Sequence, residues 1–203
     1  MASPIHPGAV AWTGENPGIY LKDTQDGPWT GLMTFFRIMW SPYGRGHGVL
    51  VLDEPMREQG LPEVRNFCIT DNDALAKYLV DSFFGRFMSF RASPGLGAIT
   101  YLPLVEVRRE GDTRSSYREI VRSAEFEVVM TWGGLGAPYA VDMPPEKGPT
   151  RAHRMYSLFI DSEDAGVTIN GRALRGRVMT RDFADTKKPT AFLAFAESWM
   201  AQA

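Results

Sequence analysis

The feature that most constrains this chain is a run that is apolar on both sides when read as a strand: Gly31-Leu32-Met33-Thr34-Phe35-Phe36-Arg37-Ile38-Met39-Trp40. Arg37 is its single charge, and aromatic and β-branched residues are frequent, which favours a strand over a surface helix with a charged stripe. Alternation places Leu32, Phe36, Ile38 and Trp40 on one side and Met33, Phe35 and Met39 on the other. A strand apolar on both faces has to be covered on both. A second short apolar run, residues 49–52, suits a buried return strand. The connection between the two, residues 41–48, holds Pro42, Gly44, Gly46 and Gly48, which set a turn and allow close approach of another backbone or of a ligand.

With 203 residues the chain can bury a core without disulfides or metals, and its 44% hydrophobic content argues against disorder. The formal net charge of −2 removes the electrostatic footprint of a nucleic-acid binder. The single cysteine, Cys68, lies between Phe67 and Ile69 and reads as a small buried hydrophobe. The first 18 residues carry Pro4, Pro7 and Pro17 with no cationic lead before an apolar run, which does not match a secretory signal. No apolar run reaches membrane-spanning length. A soluble, cytoplasmic protein without membrane partners is expected.

Residues 1–30 read as an extended N-terminal arm packed on the body through Trp12, Tyr20 and Trp29, followed by a single β-rich domain over 31–203. The clearest helix spans 73–84, with Thr70, Asp71 or Asp73 as its cap and Leu75, Tyr78, Leu79, Ser82 and Phe83 on one face. Strands are expected over 87–91 and 98–108, with Pro103 marking an edge, bulge or break. Phe126, Val128, Met130 and Trp132 alternate with polar residues and mark a half-exposed antiparallel strand with one core face. Asn170-Gly171 between apolar runs predicts a type I′ hairpin. In the tail, Phe192, Phe195, Ala196 and Trp199 make a helical stripe, and a helix is favoured there over a terminal strand. These elements predict a mainly β fold, an antiparallel barrel or strongly bent sandwich with one or two helices packed on it. A lipocalin-like barrel is one shape that meets the pattern.

Candidate chemistry centres on the 41–48 loop. Tyr43, Arg45 and His47 alternate along it and could bring a phenol, a guanidinium and an imidazole to one side; the competing reading is a solvated connection. Glu106, in an otherwise apolar stretch, would gain acid–base character if it pointed inward. His47, Tyr43 and Glu106 are therefore the candidate catalytic residues. Arg45, Trp40, Phe36, Trp132, His153 and Tyr156 are the candidate ligand-binding residues, the last two from a segment, 151–156, that could hold an anion. Three histidines and one cysteine lack paired ligand spacing, so no metal is expected, and no dinucleotide or phosphate-loop pattern calls for a cofactor. The function expected is binding of a small apolar or aromatic molecule, acidic or neutral, in a cavity of the barrel. The alternative is a cofactor-independent isomerase, lyase or decarboxylase using His47 and a carboxylate, and a homo-oligomeric scaffold is the third class.

Overall fold

The computed structural model describes residues 10–201. In chain order the elements are β1 (Val10–Glu15), β2 (Gly18–Lys22), β3 (Trp29–Trp40), β4 (Gly46–Leu52), β5 (Asn66–Thr70), α1 (Asp73–Ser82), β6 (Thr100–Pro103), β7 (Glu106–Gly111), β8 (Tyr117–Arg122), β9 (Glu127–Leu135), β10 (Tyr139–Met143), β11 (His153–Ile169), β12 (Arg172–Ala173), β13 (Thr180–Phe183), β14 (Thr186–Pro189) and β15 (Ala191–Ala201). The fold is mainly β. Thirteen strands form one sheet in the order β6-β5-β4-β3-β1-β15-β11-β9-β8-β7, with β2 alongside β3 and β15, and with β10 and β12 alongside β11. Hairpin β13–β14 stands apart from it. Among the described residues no helix is long and apolar enough to cross a membrane.

The sheet bends back on itself. Met33, Phe35, Val49, Val51, Phe67 and Ile69 from β3–β5 share one buried cluster with Val121, Val128, Met130, Trp132 and Ile160 from β8, β9 and β11. Strands from opposite ends of the sheet order can share a cluster only if the sheet curls. Phe67 stacks on Phe126, just before β9, with ring centroids 4.6 Å apart. Two residues join the edge strands β6 and β7: the Leu104 N–H donates to Thr70 O on β5 and the Val105 N–H to Arg122 O on β8. The break expected at Pro103 is this junction.

The outer face carries the second cluster. Leu32, Phe36, Ile38, Leu50, Leu52 and Cys68 pack there with Leu75, Ala76, Leu79 and Val80 of α1 and with Phe83, Phe84 and Phe90 beyond it. Thus β3 is covered on both faces, as its composition requires. Asn72 caps α1, its side-chain oxygen accepting from the Leu75 N–H at 3.0 Å. Thr70 Oγ1 in turn accepts from the Asn72 N–H. The helix ends earlier than its apolar stripe, because Phe83 leaves helical angles and a 3-10 turn, Phe84–Arg86, follows.

Two expectations are corrected. Residues 87–91 are turns rather than a strand: the Phe90 and Arg91 N–H groups both donate to Phe87 O. The tail is a strand, not a helix. Ala191–Ala201 pairs with β1 on one side and β11 on the other. The helical spacing of its aromatics has a specific cause. Register slips opposite Tyr156 and Leu158, and Ala196 sits there with φ 51°. The extra residue of this bulge flips the alternation. Phe192 and Trp199, seven residues apart, then share the outer face, a spacing that an unbroken strand puts on opposite faces.

Residues 10–22, within the segment expected to be an extended arm, supply β1 and β2; Trp12 and Tyr20 are buried there, and residues 1–9 lie outside the described part. The Asn170-Gly171 hairpin forms as expected, with φ of 49° and 75°. Its second arm is the two-residue β12, shorter than the sequence pattern suggests.

One end of the inner face is closed by a polar cluster. Glu119 is fully buried and accepts from Tyr117 Oη (2.8 Å), Arg109 Nε (3.0 Å) and both terminal nitrogens of Arg37 (3.2 Å each). Glu15 accepts from the same two arginines. Burial pushes the Glu119 carboxyl up, while Tyr117 and Arg109 pull it down. Arg37, the lone charge of β3, is therefore satisfied inside the fold.

Two stability outcomes follow. Glu119→Ala leaves two guanidiniums at a partly buried site with Glu15 as their one shared carboxylate and is expected to cost about 3 kcal/mol in urea unfolding; a loss under about 1 kcal/mol would show that Glu15 and solvent compensate the cluster. Gly171→Val forces a β-branched residue to positive φ and should cost roughly 1 kcal/mol or more. Unchanged melting of that variant would contradict the turn.

Candidate functional site

The loop 41–48 is built around α1 rather than around a ligand. Asn72 Nδ2 donates to Tyr43 O and Arg45 O. His47 turns to Asp71, with Nδ1 3.0 Å from Oδ2 and the His47 N–H donating to Oδ1 at 2.7 Å. Tyr43 stacks against Tyr78 at 4.7 Å and is half exposed, as is Trp40, while Arg45 is exposed. The loop therefore does not bring Tyr43, Arg45 and His47 together. Two of its glycines have packing reasons: a Cβ on Gly46 would meet Asp71 Oδ1 at 2.8 Å, and one on Gly48 would meet Ile69 O at 2.5 Å.

The other candidates are dispersed. Glu106 pairs with Arg122 at 2.8 Å on a part-exposed strand. Phe36 is buried in the outer cluster and Trp132 in the inner one, where its Nε1 donates to Gly18 O. Tyr156 is 44% exposed. His153 stacks near Phe83 (4.7 Å) and Trp199 (6.4 Å), and Nδ1 lies 3.1 Å from Thr150 Oγ1. Burial, and then the neighbouring Arg86, lower its pKa.

A cavity of about 370 Å³ opens elsewhere, on the outer face of the sheet. Its floor is Tyr20 from β2, Met155 and Phe159 from β11, and Phe192, Glu197 and Trp199 from β15. The turns after α1 cover it with Phe87 and Met88, the loop before β11 with Lys147 and Arg151, and hairpin β13–β14 with Arg181 and Phe183. None of the nine residues singled out in the sequence lines it. Arg151 and Met155, their neighbours in segment 151–156, do.

Two groups give the cavity its chemistry. Glu197 is 3% exposed and reaches the outer face because of the Ala196 bulge. Its Oε1 accepts from Trp199 Nε1 at 2.5 Å, and Ser157 also hydrogen-bonds the carboxyl. Burial outweighs both donors and pushes its pKa up to about 8, so at neutral pH the group is largely protonated. Arg181 stands over the rings of Phe192 (4.3 Å), Phe183 (4.8 Å) and Tyr20 (5.6 Å). Its Nε–H is shut off from solvent and has no hydrogen-bond partner among the described residues. Burial lowers the Arg181 pKa, and Tyr20, Tyr139 and Asp161 act against that.

The charged residues lining the cavity are Arg91, Lys147, Arg151 and Arg181 against Asp182 and Glu197. Asp182 is engaged by Lys187 and Lys147 by Asp185, so with Glu197 protonated the surplus rests on Arg91, Arg151 and Arg181, and the cavity is electropositive. Lys147 reaches Asp185 at 2.8 Å and ties the loop before β11 to the hairpin. Backbone strain gathers here too. Of the five non-glycine residues with positive φ among the described residues, Arg151 and Ala184 line the cavity, Asp185 adjoins Ala184, and Ala196 precedes Glu197. Such strain persists where the surroundings over-determine it and concentrates at functional sites.

In the sequence, Glu197 passes for the polar side of a helix and Arg181 for one of several solvated arginines. The available signal was an acidic residue set among Phe195, Trp199 and alanines near the end of an apolar run. The fold and the cavity together define an antiparallel β protein whose bent sheet carries an aromatic, electropositive cavity on its outer face. No known protein family, curated protein or solved structure matches the chain.

Protonation of Glu197 sets a pH dependence. The folded chain holds a proton that the unfolded chain releases between the ordinary carboxyl value of 4.5 and about 8, so stability falls as pH rises through that window. Relative to Glu197→Gln, the natural chain should lose on the order of a few kcal/mol between pH 5 and pH 8.5 in urea unfolding. Parallel stability curves for the two proteins would place Glu197 in contact with water.

Proposed function

We propose that the protein binds a small aromatic acid in the cavity between the outer face of the sheet and the β13–β14 hairpin. The observation that carries this reading is Arg181, a guanidinium held over three aromatic rings with a buried Nε–H that lacks an acceptor. A buried donor without a partner costs about 1–3 kcal/mol, more when charged, and an anionic ligand oxygen would recover it. The aromatic walls suit a planar ring system, and the volume fits a ligand of one to three rings. The surplus of cationic over anionic lining favours an acid over a neutral ligand.

A cofactor-independent isomerase or lyase at the same cavity is the second reading. What favours it is Glu197, a buried carboxyl whose raised pKa suits a general acid near neutral pH.

Binding of 2-naphthoate, followed by calorimetry and by quenching of Trp199 and Trp29 fluorescence, tests the first reading. Arg181→Met should weaken it by about 10- to 100-fold, the equivalent of one charged hydrogen bond. Arg45→Ala, in the 41–48 loop, should leave it unchanged. Loss of binding on Arg45→Ala with Arg181→Met unaffected would move the site to that loop.

A further inference from the structure

The two chemically distinctive groups of the cavity stand apart along one strand. Arg181 lies over Phe192, and Glu197 follows five residues later on the same face of β15. At strand rise this separates the two positions by roughly 15 Å of backbone, somewhat less across the bulge. Between them lies Phe159, opposite Ala194, with Tyr20 beyond the Phe192 end and Met155, opposite Trp199, beyond the Glu197 end. The cavity is therefore two-ended: a cation at one end, a carboxyl at the other, and apolar surface between.

The deep end has a particular hydrogen-bonding balance. Trp199 Nε1 is already committed to Glu197, and the Ser157 hydroxyl is shared between that carboxyl and Phe195 O. What Glu197 itself can offer the cavity is its own O–H, which donates and so calls for an acceptor. A second anion there would meet the carboxyl once it ionised, whereas an uncharged oxygen would not.

We propose that the ligand is a two-ended aromatic acid, whose anionic oxygen pairs with Arg181 and whose uncharged carbonyl oxygen accepts a hydrogen bond from the Glu197 carboxyl. This rests on the binding reading above and names its ligand class. Glu197 is then a specificity residue: it selects a carbonyl over a hydrocarbon of the same shape, and does so only while it carries its proton.

The other titratable and charged groups around the cavity are Tyr20 from β2, Arg91 from the turns after α1, Lys147 and Arg151 from the loop before β11, Arg181 and Asp182 from β13, and His153 across the Trp199 ring. Burial raises Tyr20, the Asp185 pair raises Lys147, and burial lowers His153, all away from the window between pH 7 and 9.5. Glu197 titrates inside that window.

The test uses the full chain and two probes, 6-acetyl-2-naphthoate and 6-isopropenyl-2-naphthoate. They share shape and charge, and only the first has the acceptor. By calorimetry at pH 7 the acetyl compound should bind about tenfold tighter, the factor of one hydrogen bond. At pH 9.5 that preference should shrink to within about twofold. Glu197→Gln, whose amide keeps a donor at every pH, should hold the preference at both. Equal binding of the two probes at pH 7, or a preference in the natural chain that pH does not change, would overturn the proposal while leaving the cavity a binding site. Failure of both probes to bind at millimolar concentration would remove the binding reading and this one with it. The comparison of probes in the natural chain stands even if the variant does not fold.

Discussion

The architecture depends on the two-sided burial of β3. A strand apolar on both faces cannot border water on either, so the chain needs two separate coverings. The sheet supplies one by curling until β8 and β9 lie against β4 and β5, with Phe67 on Phe126 where the ends meet. Helix α1 and the turns after it supply the other. The curl leaves two edges close together, and Leu104 and Val105 bond one to each. The outer covering is assembled from short pieces rather than one continuous layer. Where the turns after α1, the loop before β11 and the β13–β14 hairpin meet over β15, they leave the cavity.

Two buried glutamates show how differently the same side chain can be used. Glu119 sits among two guanidiniums and a phenol, and every donor near it is engaged. Its removal would leave two guanidiniums sharing Glu15 alone, so its contribution is to the inner face of the fold. Among the described residues Glu197 has only neutral donors, Trp199 and Ser157, and no cation paired with it. Burial then favours its protonated form, and the carboxyl has a proton to give. The matching cation, Arg181, lies in the same cavity and has a donor to spare. A cation and a protonated carboxyl kept apart inside one apolar space hold a polarity that a ligand can complete.

A single inserted residue makes this possible. Without the bulge at Ala196, Glu197 would follow the alternation set by Ala191 and Leu193 and face the inner cluster. The left-handed conformation of Ala196 carries a cost of order 1 kcal/mol for a residue with a Cβ, which the pairing of β15 to β1 and β11 on either side sustains. Arg151, also at positive φ, lines the same cavity, and Ala184 lines it from the two-residue turn of the β13–β14 hairpin, which itself calls for positive φ.

Much of the body was legible from residue pattern alone. The mainly β character, the core face of Val128, Met130 and Trp132, the helix beginning near Asp73, the burial of Cys68 and the Asn170-Gly171 turn all follow from short-range rules, because each is decided by neighbours a few residues away. The tail was misread for the opposite reason: its apparent helical period arises from a bulge set by its slipped register against β11. The candidate site was equally invisible. The 41–48 loop concentrates Tyr43, Arg45 and His47 in sequence, but α1 claims its carbonyls and Asp71 claims His47. Glu197 and Arg181 stand on separate elements, β15 and β13, and acquire their character from desolvation, which no sequence position carries by itself. The sequence by itself determined which strands must be buried; the tertiary structure decided which polar groups would be shut away with them, since burial is a property of everything that packs around a residue and not of its neighbours in the chain.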